Sequence, residues 1–242
     1  MKKISVAMAT YNGEKYIKEQ LESILKNLKS GDEIVISDDG SCDDTIKIIE
    51  NMDFCGVEKK IVKGPGFGIK QNIGNAIKYA TGDVIFLADQ DDVWTDDKVL
   101  TVMPYFERGA HLVVHDAKVM NHDLTEAIMP SFFEYRGCGS GFLKNMIKNR
   151  YMGCCMAITS EVAKKIIPIP DNIEMHDWWI GVLCDIHYGD TYFIENKLLL
   201  YRRHEKNVSD FSHNSLPVMV KNRCVFLNEI LKRGRIWNDT SD

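Results

Sequence analysis

The sequence predicts an α/β fold built on a mostly parallel sheet with helices on both faces. Over roughly the first hundred residues, short apolar runs alternate with segments whose apolar residues recur at helical spacing. The apolar runs are continuous, which is typical of strands that are buried on both faces. Polar clusters follow three of these runs, and open α/β sheets bind ligands at the carboxyl ends of their strands. We therefore expect one functional crevice at that edge of the sheet.

The N-terminal half is expected to contain four strands and three helices. The strands are predicted at residues 4–9, 33–37, 59–62 and 83–87, and the helices at 16–28, 45–50 and from the end of the 64–68 loop to residue 80. Asn12-Gly13, Ser30-Gly31 and Thr81-Gly82 separate these segments, because glycine and asparagine favour turns.

The alternation weakens in the C-terminal half. Strands are predicted at residues 111–120, 152–159, 191–194 and 197–201, helices at 161–167, 177–187 and 216–236, and an aromatic loop at 131–140. A chain of 242 residues suits one domain. Within it we expect a nucleotide-binding half (1–108), an acceptor-binding half (109–210) and a C-terminal helix (211–242).

Composition excludes several classes of protein. A formal net charge of -5 argues against nonspecific nucleic-acid binding, which needs basic faces. The N-terminal apolar run is too short for a signal peptide, and no stretch approaches the length of a membrane span. The seven cysteines are odd in number and show no CxxC spacing, so a disulfide framework or zinc site is not expected. A reducing cytoplasm fits this pattern.

The acidic cluster Asp89-Gln90-Asp91-Asp92 lies at the end of a predicted strand. Its carboxylates repel one another unless a cation or solvent relieves them, and Mg²⁺ or Mn²⁺ prefers such oxygen ligands. An ordinary acidic turn that caps the next helix explains the cluster equally well. A third reading is a haloacid-dehalogenase-like phosphatase with Asp89 as nucleophile and Asp91 as acid/base. Two βα units precede the cluster, whereas that phosphatase motif normally begins its domain.

A second acidic pair, Asp38-Asp39, follows the second predicted strand. A turn and a helix cap explain Gly40, Ser41 and Asp43 without any ligand. They do not explain Asp38 and Asp39 together.

Seven ordered segments resemble the inverting glycosyltransferases of family 2, which have a GT-A fold. The segments are SVAMATYNGEKYI, EIVISDDGSCDDT, GFGIKQNIGNAIKYATGD, FLADQDDVW, MGCCMAITS, MHDWWI and YRRHEKNV, and they run from about residue 4 to 208. The combination of DQDDVW, HDWW and YRxHxxN is most similar to bacterial rhamnosyltransferase-like enzymes of polysaccharide assembly.

That resemblance implies a donor site. Its nucleotide-sugar-binding residues would be Thr10, Tyr11, Glu14, Asp38, Asp39, Lys70, Asp89 and Gln90. Asp91, with Asp89 and His204, would hold Mg²⁺ or Mn²⁺ against the diphosphate, and the metal would stabilise the leaving group. The role of Asp92 stays open.

The resemblance also implies the catalytic base. Asp177 matches the family's base position, with His176 in place of the commoner Glu. The alternative is that Asp177 only caps the helix that follows. Gly153, Cys154, Trp178 and Trp179 would line the acceptor side. We expect one of the adjacent tryptophans to face the cleft and the other the core, because neighbours on a helix point in different directions.

The expected reaction is sugar transfer from dTDP-rhamnose or a UDP-hexose to a hydroxyl of a saccharide or lipid-linked acceptor. An inactive nucleotide-sugar-binding module is the non-enzymatic alternative. The C-terminal segment mixes basic and apolar residues, so peripheral contact with the cytoplasmic face of a membrane is a further expectation.

Overall fold

A computed structural model describes residues 2–189, 191–205, 207 and 215–239, with side chains described only up to residue 234 of the last helix. The strands are β1 (Ile4–Thr10), β2 (Glu33–Asp38), β3 (Glu58–Lys63), β4 (Val84–Ala88), β5 (Val93–Trp94), β6 (Leu112–Met120), β7 (Ala127–Met129), β8 (Met156–Thr159) and β9 (Thr191–Arg202). The helices are α1 (Ile17–Leu25), α2 (Thr45–Asn51), α3 (Ile69–Tyr79), α4 (Lys98–Glu107), α5 (Phe132–Arg136), α6 (Phe142–Ile147), α7 (Ser160–Ile166), α8 (His176–His187) and α9 (Leu216–Asp239). Lys206 and Val208 of the YRRHEKNV segment lie outside the described residues.

One sheet organises the chain, and its strand order is β3-β2-β1-β4-β8-β6-β9-β5, with β7 beside β6. Strands β3, β2, β1 and β4 are all parallel, so their carboxyl ends share one edge. Strand β8 enters antiparallel to β4 and β6, and β6 pairs parallel with β9. The α/β fold class predicted from the sequence is confirmed.

The core forms because the central strands are apolar on both faces. All seven residues of β1 and all five of β4 are buried. Helix α1 buries a face that includes Leu21, and α3 buries a face that includes Ile73. Lys18 of α1 and Lys78 of α3 remain exposed. The sheet edge that carries the polar clusters is thereby held on a rigid support.

Three sequence predictions for the C-terminal half are wrong in detail. Residues 191–201 form one strand, β9, because pairing with β6 continues through two register shifts. The predicted loop at 131–140 contains α5, capped by the Ser131 hydroxyl, which accepts from the Glu134 N–H. The strand predicted at 152–159 begins only at Met156, after a 3-10 turn at Gly153–Cys155. Tertiary pairing decided these segments over local propensity.

Helix α9 packs on α8 in the C-terminal half. The Phe226 ring stacks on Trp178 with ring centroids 3.8 Å apart and meets Trp179 edge-on at 6.0 Å. Within the described residues, none of the helices combines the length and the apolar character that crossing a bilayer would require.

Candidate active site

The polar clusters after β1, β2 and β4 meet at the carboxyl edge of the sheet, as the sequence predicted. Asp38 is fully engaged there. One of its carboxylate oxygens accepts from the Gly40 and Ser41 N–H groups at 3.0 and 2.8 Å, and the other accepts from the hydroxyls of Thr10 and Ser41 at 2.9 and 2.5 Å. Thr10 and Asp38 therefore shape the turn that supports the site.

Asp39 holds the glycine-rich loop that precedes α3. Its two carboxylate oxygens accept from the backbone N–H groups of Gly66 and Gly68, each at 2.9 Å. A Cβ at Gly64 would lie 2.3 Å from the Asp39 carboxylate, so only glycine permits this approach. Each oxygen keeps a second lone pair, so Asp39 can still accept from a nucleotide base.

Gln90 joins the ends of β1 and β4. Its side-chain oxygen accepts from the Tyr11 N–H at 2.9 Å, and its nitrogen donates to the Tyr11 carbonyl at 3.0 Å. The Tyr11 ring is 56% exposed and is free to stack on a ligand. The Glu14 carboxylate accepts from the Asp44 N–H at 3.0 Å, so it sits at the start of α2. The structure thus places Tyr11 and Gln90 at the crevice and Glu14 at its outer side.

Within the acidic cluster Asp92 is buried and Asp89 is half-buried. Ligand atoms of Asp89, Asp92 and Cys154 all lie within 4.8 Å of one another. Burial, and then the neighbouring charge of Asp91, raises the pKa of Asp89 to about 7 and the pKa of Asp92 well above its ordinary value. Asp92, whose role the sequence left open, has one oxygen that accepts from the Arg202 N–H at 3.0 Å.

The donor set fits Mg²⁺ or Mn²⁺. The second carboxylate oxygen of Asp92 is buried and has no hydrogen-bond partner among the described residues, which leaves an acceptor aimed into the cluster. A hydrogen bond with Cys155 and burial raise the pKa of the Cys154 thiol, and sulfur is a softer ligand than these cations prefer. Carboxylate oxygens remain, which hard divalent cations prefer.

Asp91 lies next to His204 at the mouth of the cluster. The His204 Nε2 and Asp91 Oδ2 atoms are 2.7 Å apart, and both side chains are 13% exposed. The His204 ring stacks on Tyr16 with centroids 5.0 Å apart. The structure thus brings together the distant sequence predictions Asp91 and His204.

Arg202, at the end of β9, holds the backbone of the acidic cluster. Its guanidinium donates to the carbonyls of Asp91 and His122 at 2.8 and 2.7 Å and to the Glu19 carboxylate at 2.5 Å. It is buried, so it fixes the backbone of the acidic cluster instead of reaching a ligand.

Asp177 lies in the first turn of α8 and is buried. Its Oδ1 accepts from the Trp178 N–H at 2.6 Å and from Asn149 Nδ2 at 3.0 Å. Met175 is the N-cap, so Asp177 does not cap the helix in the ordinary way. Burial raises the pKa of Asp177 to about 6, and its charge in turn raises that of Asp89. Asp177 is thus near enough for its charge to act on Asp89.

Lys70, which the resemblance implies as a nucleotide-sugar-binding residue, bonds to a loop of the protein. Its ammonium donates to the carbonyls of Asp171 and Ile173 at 2.5 and 2.8 Å. Burial lowers the pKa of Lys70. These bonds tie α3 to the loop before α8, which carries Asp177.

The prediction for the tryptophans is wrong, because both are buried. The indole N–H of Trp178 donates to the Asn145 carbonyl at 2.8 Å, and that of Trp179 donates to the Ile166 carbonyl at 3.0 Å. Helix α9 covers both through Phe226. Neither ring forms an open sugar-stacking wall.

Gly153 and Cys154 lie between the acidic cluster and α8. A Cβ at Gly153 would stand 2.4 Å from the His176 ring nitrogen Nε2, so this turn needs glycine. The Cys154 carbonyl accepts from the buried Lys98 ammonium at 3.1 Å. Lys98, together with Asn149, is a supporting residue that sequence reasoning missed, since neither belongs to a motif with recognisable spacing.

The chain belongs to glycosyl transferase family 2. The profile of that family, described as Glycosyl transferase family 2, matches residues 5–166, more than half of the chain. The alternation of strands and helices, the acidic cluster after β4 and the shared sheet edge agree with this assignment.

Relatives with named activities are sugar transferases. The dTDP-rhamnosyl transferase RfbG of Shigella flexneri is 29% identical over 231 residues, which are 83% of this chain and 72% of RfbG. The UDP-Glc:alpha-D-GlcNAc-diphosphoundecaprenol beta-1,3-glucosyltransferase WfgD of Escherichia coli is 23% identical over 188 residues, which are 75% of this chain and 70% of WfgD.

Solved structures share the fold. S. aureus TarS 1-349 in complex with UDP-GlcNAc has a TM-score of 0.67 and 18% identity, over 95% of this chain and 66% of TarS 1-349. The Pyrobaculum calidifontis mannosyltransferase PcManGT, in complex with GDP-Man and Mn²⁺, has a TM-score of 0.61 and 14% identity, over 96% of this chain and 64% of PcManGT. The chain thus spans about two thirds of the length of these matched structures.

Proposed function

We propose that the chain transfers a sugar, with inversion, from dTDP-rhamnose or a UDP-hexose to a hydroxyl of a saccharide or lipid-linked acceptor in cell-surface polysaccharide assembly. The observation that carries the proposal is the placement of Asp177 across from the acidic cluster. The similarity to RfbG supports the choice of dTDP-rhamnose as the first donor to test.

The donor would lie along the edge formed by β1, β2 and β4. The exposed Tyr11 ring and the Asp39 carboxylate border the place for the base, and Asp89 borders the place for the sugar. Asp91, with Asp89 and His204, would hold a divalent cation, which when bound neutralises charge on the leaving nucleoside diphosphate. Asp92, by its unsatisfied buried oxygen, is a further candidate for this set.

Asp177 would act as the general base. Its Oδ1 is held by two donors, whereas Oδ2 has no bond within the described residues and is not sealed from solvent. Asn149 and the Trp178 N–H therefore orient the carboxylate with one oxygen open to an acceptor hydroxyl. A pKa of about 6 leaves it mostly ionised at neutral pH yet basic enough to take a proton.

Contact with the cytoplasmic face of a membrane is part of the proposal. Leu216, Leu227 and Leu231 are 75%, 40% and 69% exposed along α9, and Lys221 and Lys232 are exposed beside them. Apolar residues flanked by lysines favour an anionic lipid surface. All seven cysteines are free, which agrees with a reducing compartment.

The donor site is tested by thermal shift and calorimetry. With Mn²⁺ present, dTDP-rhamnose, UDP-glucose and UDP-GlcNAc are screened for stabilisation, because a ligand that binds the folded state raises the melting temperature. We expect Asp91→Ala to weaken binding of the selected donor at least about tenfold, by loss of a metal ligand. Asp96→Ala is the matched control, since the Asp96 side chain is 78% exposed. Unchanged affinity in Asp91→Ala would remove Asp91 from the metal site.

The reaction itself is tested by following transfer and by NMR of the product. We expect the anomeric configuration to invert. Asp177→Asn should reduce transfer by about 10²–10⁴-fold while donor affinity changes no more than a few-fold. Normal transfer by Asp177→Asn would refute the base assignment. Donor binding with no transfer to any acceptor would favour the inactive binding module instead.

A further inference from the structure

Arg136 and Arg150, both in the proposed acceptor-binding half, have no counter-ion within the part of the chain that the structure describes. Arg136 ends α5, and Arg150 follows the residue that holds Asp177. Both side chains are partly buried, and the Nε atom of each is buried without a hydrogen-bond partner. Within the described residues neither guanidinium makes a hydrogen bond or an ion pair, and the terminal nitrogens are not sealed from solvent.

The neighbouring carboxylates are committed to other donors. Asp116 accepts from the N–H groups of Ala117 and Phe133 and from the Ser131 hydroxyl. Asp185 accepts from the Tyr151 hydroxyl at 2.6 Å and from the Gly141 N–H at 3.1 Å. Among the described residues, neither arginine is therefore the structural partner of a carboxylate. A partly buried cation without a partner is costly, and a bound anion would relieve that cost.

Both arginines act on the same small region. The Cys138 thiol lies after α5, and burial raises its pKa to about 12 while the charges of Arg136 and Arg150 lower it. Burial likewise raises the pKa of Asp177, and the charge of Arg136 is one of the contacts that lower it. Asn149, bonded to Asp177 at 3.0 Å, directly precedes Arg150. Phe133, one turn before Arg136 on α5, and Tyr151, which follows Arg150, both pack against the Phe193 ring, with centroids 5.8 and 5.6 Å away. The two arginines therefore lie on segments that meet where Asn149 holds Asp177.

We propose that Arg136 and Arg150 form a subsite for a phosphate or diphosphate group carried by the acceptor. Arginine forks bind phosphate oxygens through paired, charge-assisted hydrogen bonds, and two forks suit a diphosphate. This inference rests on the proposed function and names its acceptor class: a saccharide whose reacting hydroxyl lies near an anionic phosphoryl group. WfgD, whose acceptor is a diphosphate-linked saccharide, supports that class.

The subsite is distinct from the place of the donor diphosphate. The donor's phosphates would lie at the proposed metal cluster of Asp89, Asp91 and His204, where a divalent cation would offset their charge. Removal of the arginines should therefore leave donor binding intact and weaken the acceptor alone.

Binding is measured first without any transfer. Wild-type protein in EDTA is titrated calorimetrically with inorganic pyrophosphate, and the same titration is made with Arg136→Gln, Arg150→Gln and the double variant. We expect each single variant to weaken pyrophosphate binding at least about tenfold, because each removes charge-assisted hydrogen bonds to the phosphate oxygens. Arg108→Gln is the control, because Arg108 is exposed at the end of α4. Absence of binding by the wild type, or equal binding by all variants, would overturn the proposal.

Transfer then separates the acceptor sources. The acceptors are an alkyl-diphosphate-linked N-acetylglucosamine, a ribitol-phosphate oligomer and the neutral octyl glycoside of N-acetylglucosamine, each with the donor found by thermal shift. We expect kcat/KM of the double variant to fall about 100-fold or more for the phosphorylated acceptor that the wild type uses, with unchanged donor Kd. Equal losses with the neutral glycoside, or a weakened donor Kd, would overturn the subsite. Arg136→Lys and Arg150→Lys, which keep the charge, guard against a folding defect and should retain part of the binding.

This design distinguishes two failures. If no nucleotide-sugar binds and none is consumed, the proposed function fails while the pyrophosphate titration still judges the subsite. If the donor is consumed and the neutral glycoside is the best acceptor, the proposed function stands and the phosphate subsite is wrong.

Discussion

Replacement of Asp177 by Asn should stabilise the folded protein at neutral pH while it abolishes transfer. Burial moves the pKa of this carboxyl from its ordinary 3.8 to about 6 in the folded state. Each unit corresponds to about 1.36 kcal/mol, so holding the ionised carboxylate in place costs about 3 kcal/mol at pH 7.5. Asparagine has the same shape, and its oxygen can accept from Asn149 Nδ2 and the Trp178 N–H as Asp177 Oδ1 does.

The sign of the effect fixes its pH dependence. Between pH 3.8 and about 6 the folded state binds more protons than the unfolded state, so wild-type stability falls as the pH rises through that window. The variant lacks this loss. Its advantage should be about 3 kcal/mol at pH 7.5 and less than about 1 kcal/mol at pH 4. For a chain of this size, that advantage corresponds to a rise of about 6–12 °C in melting temperature.

Urea unfolding in EDTA at several pH values measures this difference. Metal is omitted because a bound cation would change the charge next to Asp89. Asp96→Asn serves as the control for removal of an exposed carboxylate, and its stability should match that of the wild type. Equal or lower stability of Asp177→Asn at pH 7.5 would show that the site does not destabilise the ionised carboxylate. Wild-type transfer should also fall about tenfold for each pH unit well below 6, because the base becomes protonated.

Two further predictions concern the supports of the site. Arg202→Lys should lower the free energy of unfolding by about 2–4 kcal/mol, because a lysine cannot make all three hydrogen bonds to Asp91, His122 and Glu19. Urea unfolding midpoints measure this loss. A change under about 0.5 kcal/mol would contradict the role assigned to Arg202. Gly181→Ala should lower the free energy of unfolding by about 1–3 kcal/mol, because the new Cβ would lie 2.3 Å from the Tyr151 ring, which a hydrogen bond to Asp185 holds in place. Gly139→Ala is the control: its Cβ would meet open space, so stability should change by less than about 0.5 kcal/mol. Equal stability of the two glycine variants would refute the packing argument.

The N-terminal half was predictable because its signals are local. Its apolar runs end in turns built from glycine, asparagine and aspartate, and each predicted strand begins and ends within a residue of its observed position. Parallel strands then bring Thr10, Asp38 and Asp89 to one edge without further information. The donor side of the site follows from these facts.

The C-terminal half was less predictable because non-local pairing determines it. Strand β9 is continuous only because β6 lies beside it through two register shifts. The tryptophans of α8 are both buried because α9, about 50 residues later, places Phe226 on them. No local pattern indicates such a contact.

The sequence by itself determined the fold class, the family and the acidic clusters, since these depend on periodicity and on motifs of fixed spacing. Only the tertiary structure decided what each polar group meets. Asp38 accepts from Ser41, three residues away, whereas His204 meets Asp91, which is 113 residues away in the sequence. Lys70 bonds to the carbonyls of a loop. The tertiary structure also left Asp92 and two arginines with unsatisfied buried atoms. Hydrogen-bond partners depend on positions in space, and residues far apart in the chain become neighbours only when the core packs.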